Sequence, residues 1–210
     1  WLVGPVLDET LATLAQTGAP RAQLARLERF CRAAVAGLGA ELERRAAEGR
    51  VRDGHGDLRA EHVLPGEPVQ AVDGVEFDRA LRVADVGYDL AFLVMDVARI
   101  DDALSRAIVR GYRAAGGDPG SDALLDFFCA VRALVRAKVD FLRAAQLSGE
   151  QARERAARAE GLLGTAERFA WRARLPRLVC VAGLAASGKS TVAEALAEAA
   201  GRCVLSSDRV

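Results

Sequence analysis

Along most of this chain apolar residues recur at three- and four-residue spacing, the rhythm of helices that bury one face. "PRAQLARLERFCRAAVAGLGAELERRAAEGRV" predicts one long helix over residues 20–51, with Pro20 near its start and Gly49 near its end. Its heptad-like stretch reads as a core helix rather than a coiled coil, and what precedes it is a short opening segment. The rhythm resumes at Asp89 and predicts helices over residues 89–100, 102–115, 121 to about 147, and 149–172, with the turn "GGDPGS" breaking the second from the third. Between these regions the pattern changes. A polar loop, "RDGHGDLRAEH", is followed by two short strand candidates, "VLP" and "VQAVDGVEF", on either side of the turn "GEP". The expected fold class is therefore mainly α with a small β insertion.

After Leu175-Pro176 the pattern changes again, which places a domain boundary near residues 174–177 and divides the chain into 1–174 and 177–210. "LVCVAG" is a short β-branched run, "STVAEALAEAA" an alanine-rich helix with Gly201 as its stop, and "GLAASGKST" lies between them. The last fits the phosphate-loop pattern G-x-x-x-x-G-K-[ST] in the strand-loop-helix context that the pattern requires. The expected nucleotide-binding residues are Gly183, Ala185, Ala186, Ser187, Gly188, Lys189, Ser190 and Thr191. Backbone amides cradle phosphate, Lys189 reaches the β/γ-phosphates of ATP, Ser190 holds Mg²⁺, and the helix N-terminus adds its partial positive charge. "RCVLSSDRV" then predicts a second strand over residues 203–205, ending near Asp208. At the carboxyl end of such a strand Asp208 faces a substrate; Ser-Asp is equally a helix-start signal. Because sheets of about four to six strands are typical, the region from 177 onward is expected to be only the beginning of an α/β domain.

Composition narrows the function classes. With 51% hydrophobic and 28% charged residues the chain is globular, and 29 basic against 29 acidic residues give no electrostatic case for nucleic acid or anionic lipid. The longest apolar run, "LAFLVM", is too short for a bilayer and ends at Asp96. Lys138 and Lys189 are the only lysines among many arginines, a bias that points to a GC-rich bacterial genome. Cys31, Cys129, Cys180 and Cys203 form no C-x-x-C pair and are expected to be buried, reduced thiols of a cytoplasmic protein.

The β insertion carries a second constellation. "HGDLRAEH" sets Asp57 two residues after His55 and His62 five residues further, and "VDGVEF" places Asp73 at the end of a strand candidate, followed by Glu76. Phosphoryl transfer of the protein-kinase type needs a carboxylate for the acceptor hydroxyl, a metal ligand a few residues later and a further metal-binding Asp on the next hairpin. A capped, solvated turn is the plainer alternative for the same residues.

"HGDLRAEH" resembles the H-G-D-L-H-x-x-N catalytic loop of aminoglycoside phosphotransferases and choline-kinase-like proteins, and "ADVGYDLAFLVMDV" resembles their G-D-P-x-x-D-L-A segment. Together with the phosphate loop, the chain resembles bacterial fusion proteins that join an aminoglycoside phosphotransferase-like domain to a gluconate-kinase-like P-loop domain. The resemblance implies that residues 1–174 form the C-lobe of a kinase-like fold, with Asp57 as catalytic base, Asp73 and His62 at the metal positions, His55 bracing the loop, and Asp89 as a structural residue at a helix start. It also implies that Asp208 is the acceptor-side residue of the P-loop unit and that the substrate is a small hydroxylated molecule. Two positions depart from the pattern: His62 stands where the family has Asn, and Arg59 where it has His. Imidazole is a poorer Mg²⁺ ligand than an amide oxygen. A glycine-rich strand pair of an N-lobe and the downstream lid arginines are also not in the sequence, so this segment alone is expected to be inactive. The two functional readings are an ATP-dependent phosphotransferase and a pseudokinase-type recognition module coupled to a P-loop switch.

Overall fold

The computed structural model describes residues 3–174, 179–200 and 203–206. They are mostly helical, with two small antiparallel two-stranded sheets. The opening segment is itself a helix, α1 (Val3–Leu14), which buries Val3, Leu7, Leu11 and Leu14 on one face. Helix α2 (Arg21–Ala47) ends earlier than its apolar rhythm suggests. Gly49 takes φ +71°, its N–H bonds Ala46 O at 3.0 Å, and the Arg50 N–H bonds Arg45 O at 2.9 Å, a glycine-terminated cap that turns the chain out of the helix.

Val51 is thus freed for strand pairing. Strand β1 (Val51–Asp53) pairs antiparallel with β4 (Val83–Asp85), in the register Val51 to Asp85, and encloses the insertion. Inside it, β2 (Val63–Leu64) pairs with β3 (Gln70–Ala71). The expected strand over residues 69–77 shrinks to those two positions because the rest of the run bonds elsewhere: Val72 N–H to His62 O and Val75 N–H to His55 O, both 2.9 Å. The short α3 (Arg79–Arg82) follows, N-capped by Asp78, whose side chain accepts from Ala80 N–H at 2.8 Å.

Helix α4 (Val86–Ala98) begins before Asp89 because the Asp85 carboxylate caps it, accepting from Gly87 N–H at 2.8 Å. Gly87 is required there: a Cβ would lie 2.3 Å from Pro119 O. Helices α5 (Asp102–Ala114), α6 (Asp122–Ala145) and α7 (Gly149–Arg172) match the predicted spans closely, with Asp101 and Ser121 capping the first two. The last helix is α8 (Lys189–Ala200). Helix α6 is the centre of the core: Leu124, Phe127, Phe128, Cys129 and Leu134 are fully buried, with α1, α4 and α7 packed around it. Each such large side chain contributes about 1.5–3 kcal/mol of burial.

Among the described residues no ladder forms at 179–183 or 203–206, so the two strands expected there are not seen. Without partner strands Cys180 and Cys203 are exposed, which corrects the expectation of four buried thiols. Cys31 and Cys129 are buried, and burial pushes the Cys31 thiol up to about 12 and Cys129 well above its ordinary value, so neither is a nucleophile near neutral pH. Leu178, Gly201 and Asp208 lie outside the described residues. No helix among the described residues is long and apolar enough to cross a membrane.

Two ion networks tie the helices together. Buried Arg45 of α2 makes a two-bond fork with Asp85, both at 2.8 Å, and bonds Asp118 O at 3.0 Å. Arg172 of α7 makes a second fork with Asp102 of α5, both bonds at 2.9 Å. Hydrogen bonds from Arg172, helped by Arg106, hold the Asp102 carboxyl below its ordinary value against the opposing effect of burial. A carboxyl depressed in the fold stabilises it above the unfolded-state pKa, and that contribution is lost as pH falls through the folded value. Asp102→Asn should therefore lower stability at neutral pH and flatten the loss below about pH 4, which denaturant unfolding across pH would reveal.

Candidate functional site

The loop from His55 to His62 leaves β1 and runs along α4 from Asp89 to Asp96, and α4 holds it by the backbone. Asp89 accepts from His55 N–H at 2.7 Å and from Gly56 N–H at 2.8 Å, and Asp96, two turns on, accepts from Ala60 N–H at 3.1 Å. The fit is close: a Cβ on Gly54 would lie 2.6 Å from the Asp89 carboxylate, and Gly56 turns at φ +83°. Asp89 sits in the first turn of α4, with Asp85 as the cap itself. Behind it lies Arg132 of α6, almost fully buried, stacked 3.6 Å over the Tyr88 ring and 4.0 Å over Phe92, with Nη2 3.9 Å from Asp89 Oδ1. Burial pulls its proton affinity below the ordinary arginine value.

The histidines cross-brace the loop. His55 Nε2–H donates to Val72 O at 2.8 Å, tying the loop to the segment before Asp73, and its Nδ1 accepts from Asp57 N–H at 3.4 Å. His62 Nδ1–H donates to Asp57 O at 2.8 Å. These partners assign one proton to each ring, on opposite nitrogens. The two rings stack with centroids 5.9 Å apart.

Asp57 therefore projects from a backbone fixed on both sides. Its Oδ2 accepts from Arg59 Nε at 2.9 Å, while Oδ1 carries no hydrogen bond among the described residues. Arg59 also pairs with Glu61 through Nη1 and donates from Nη2 to His62 Nε2 at 2.7 Å. The guanidinium thus lies between the carboxylate of Asp57 and the imidazole of His62. Asp73 follows β3 in a left-handed conformation, φ +62°, and its carboxylate is 79% exposed. Its Oδ2 is 3.4 Å from His62 Nε2, whose lone pair is already directed to Arg59.

The sequence-predicted residues His55, Asp57, His62, Asp73 and Asp89 are brought together here. Sequence reasoning passed over Asp96 and Arg132 as site supports. The signal for Arg132 was available, since an arginine in the apolar run "FFCAVRALV" must find buried partners. As a Mg²⁺ site the cluster is poor. Both nitrogens of His62 are engaged, Mg²⁺ takes oxygen donors in near-octahedral array, and no three His, Cys, Asp or Glu side chains converge in a metal-holding arrangement among the described residues.

The glycine loop at 183–191 is a separate element, with no hydrogen bond or ion pair to the His55–His62 loop among the described residues. Ala186 at φ +61° and Gly188 at φ +80° turn the backbone just before α8. Lys189, the first residue of α8, folds over the loop and donates to Leu184 O at 2.6 Å. A Cβ on Gly183 would lie 2.9 Å from Ser187 Oγ, so a larger residue there would require the Ser187 hydroxyl to turn aside. Ser190 and Thr191 lie in the first turn of α8. Amides of a tight turn, one lysine and a hydroxyl at a helix N-terminus are a donor set suited to a phosphate chain and its magnesium ion.

Uncharacterized proteins of Mycobacterium tuberculosis and Mycobacterium bovis are 37% identical to this chain over 188 residues, covering 88% of it and 36% of each relative. The chain thus spans about a third of the length of the curated relatives it matches. No protein-family model and no solved structure matches it.

Proposed function

We propose that this chain is part of an ATP-dependent phosphotransferase that moves the γ-phosphoryl group of ATP to a hydroxyl of a small molecule. The observation that carries the reading is the glycine loop, whose two left-handed residues turn it directly into a helix headed by Lys189. Loop amides and Lys189 hold the phosphate chain and stabilise charge developing on the transferred group. Ser190, in the first turn of α8, would hold Mg²⁺, and that ion would supply charge neutralisation for the phosphate chain. The aminoglycoside phosphotransferase-like reading of residues 1–174 rests on the loop motif and on its support by α4, and Asp57 Oδ1 is the oxygen that would take an acceptor hydroxyl. Asp208 is the corresponding candidate in the P-loop unit.

The Arg59 guanidinium favours a second reading for the first unit, as a recognition module. The test is phosphoryl transfer from ATP by the intact protein against sugars, sugar acids, nucleosides and aminoglycosides. Lys189→Ala is expected to reduce transfer by about 100-fold or more, the scale of removing one donor that stabilises transferred charge. Retention of full transfer in that variant overturns the P-loop reading, and loss in Asp57→Ala alone places the chemistry in the first unit.

A further inference from the structure

The Asp57 cluster departs from the metal site that the resemblance implies, and the departure is built around one side chain. Arg59 is fixed by its main chain: its N–H donates to Asp57 O at 2.9 Å, and its carbonyl accepts from His62 N–H at 3.0 Å. Its side chain is only 17% exposed and commits each nitrogen to a different acceptor. Nε donates to Asp57 Oδ2 at 2.9 Å, Nη1 pairs with Glu61, and Nη2 donates to His62 Nε2 at 2.7 Å. Two carboxylates and an imidazole gathered on one cation are ligand types that elsewhere hold a divalent transition ion. The Asp73 carboxylate stands against the same imidazole, with Oδ2 3.4 Å from Nε2. Neighbouring ligands of an ion bonded at about 2.1 Å lie about 3.0–3.4 Å apart, so this pair already has the spacing of two ligands. What it lacks is a lone pair, because His62 Nε2 gives its own to Arg59 and Nδ1 carries the proton donated to Asp57 O. A divalent ion placed on Nε2 would also lie against the guanidinium, whose like charge repels it.

We propose that Arg59 is itself the cation of this site, a tethered guanidinium that keeps divalent metal out of the loop, and that its removal uncovers a divalent-ion site on His62 Nε2, Asp73 and the carboxylates of Asp57 and Glu61. The His62 ring is held in place by its Nδ1–H bond, while the Asp73 and Glu61 side chains, 79% and 63% exposed, are free to swing toward an ion once Arg59 is gone. The inference goes beyond the reading above and does not depend on it. It concerns which cation the loop holds, whether the loop serves phosphoryl transfer or only recognition.

Titration of the intact protein with Mn²⁺ in the absence of nucleotide tests it, with free Mn²⁺ read from its electron paramagnetic resonance signal. Mn²⁺ suits oxygen and imidazole ligands and is a poor match for the exposed thiols of Cys180 and Cys203. Asp73→Gly removes one ligand at a position whose φ of +62° glycine tolerates, and in the otherwise wild-type protein it is expected to leave Mn²⁺ binding unchanged. Arg59→Ala and Arg59→Gln should each gain one site, about tenfold or more tighter than any in the wild type, and adding Asp73→Gly should weaken it again. Arg59→Lys keeps the positive charge and should stay near the wild type. Far-ultraviolet circular dichroism shows which variants are folded, and the comparison of wild type with Asp73→Gly tests metal exclusion with residue 59 untouched. A wild-type site that Asp73→Gly weakens, no gain in a folded Arg59→Ala or Arg59→Gln protein, a gain indifferent to Asp73→Gly, or a gain in Arg59→Lys as large as in Arg59→Ala each overturns the proposal. Because nucleotide is left out, the result is separate from the effect of Lys189→Ala on transfer, and either reading can fail while the other stands.

Discussion

Arg45→Ala is expected to destabilise the protein by about 3–5 kcal/mol, the cost of breaking a buried ion pair by removing one partner. Arg45 is fully buried, and its fork with Asp85 leaves that carboxylate without a counterion when the guanidinium is removed. Asp85 cannot turn to water, because it is buried and also caps α4 through Gly87. Asp118 loses less, being more than a third exposed and still 3.2 Å from Arg50. Arg45→Met separates the causes. It fills most of the volume and leaves the charge stranded, so stability close to that of Arg45→Ala points to the charge, and recovery to near wild type points to the cavity. Denaturant unfolding at constant pH measures both.

The second large effect is expected at Asp89. Asp89→Ala should cost about 3 kcal/mol or more, since two backbone N–H groups lose charged acceptors and the buried Arg132 loses its nearest carboxylate. Asp89→Asn should be nearly as damaging: one of its two acceptor positions becomes an NH₂ group facing an N–H. Hydrogen exchange distinguishes a local effect from a global one. The amides of His55 and Gly56 should lose protection in both variants, while those of central α6 change only by the fall in global stability. Unchanged exchange at His55 and Gly56 would show that the loop keeps its shape without α4.

The helices were legible because their apolar positions repeat at short range, and α5, α6 and α7 fall close to the spans read from that repeat. Helix α1 has the same stripe, Val3, Leu7, Leu11 and Leu14, which the brevity of the segment hid. What could not be read depends on distant partners. Nothing local in "VRD" announces pairing with Val83–Asp85, and "VDGVEF" leaves the strand pattern because its amides are taken by the His55–His62 loop. At the site, spacing was sufficient to group His55, Asp57, His62 and Asp73, and the resemblance of "ADVGYDLAFLVMDV" added Asp89. The position of Arg59 between Asp57 and His62 was not legible, since a side chain's direction in a loop is set by bonds that spacing does not encode.

Helix α4 grips the loop only through peptide N–H groups, those of residues 55, 56 and 60. The side chains at 57, 59 and 62 take no part in that grip. The outline of the loop and part of its reactive equipment are therefore separable: Arg59, whose side chain bonds only other side chains, can be exchanged without reshaping the frame, whereas His62 also braces it through Asp57 O. Such a frame can change trade, from one ligand to another or from catalysis to recognition, by substitutions that leave its architecture standing.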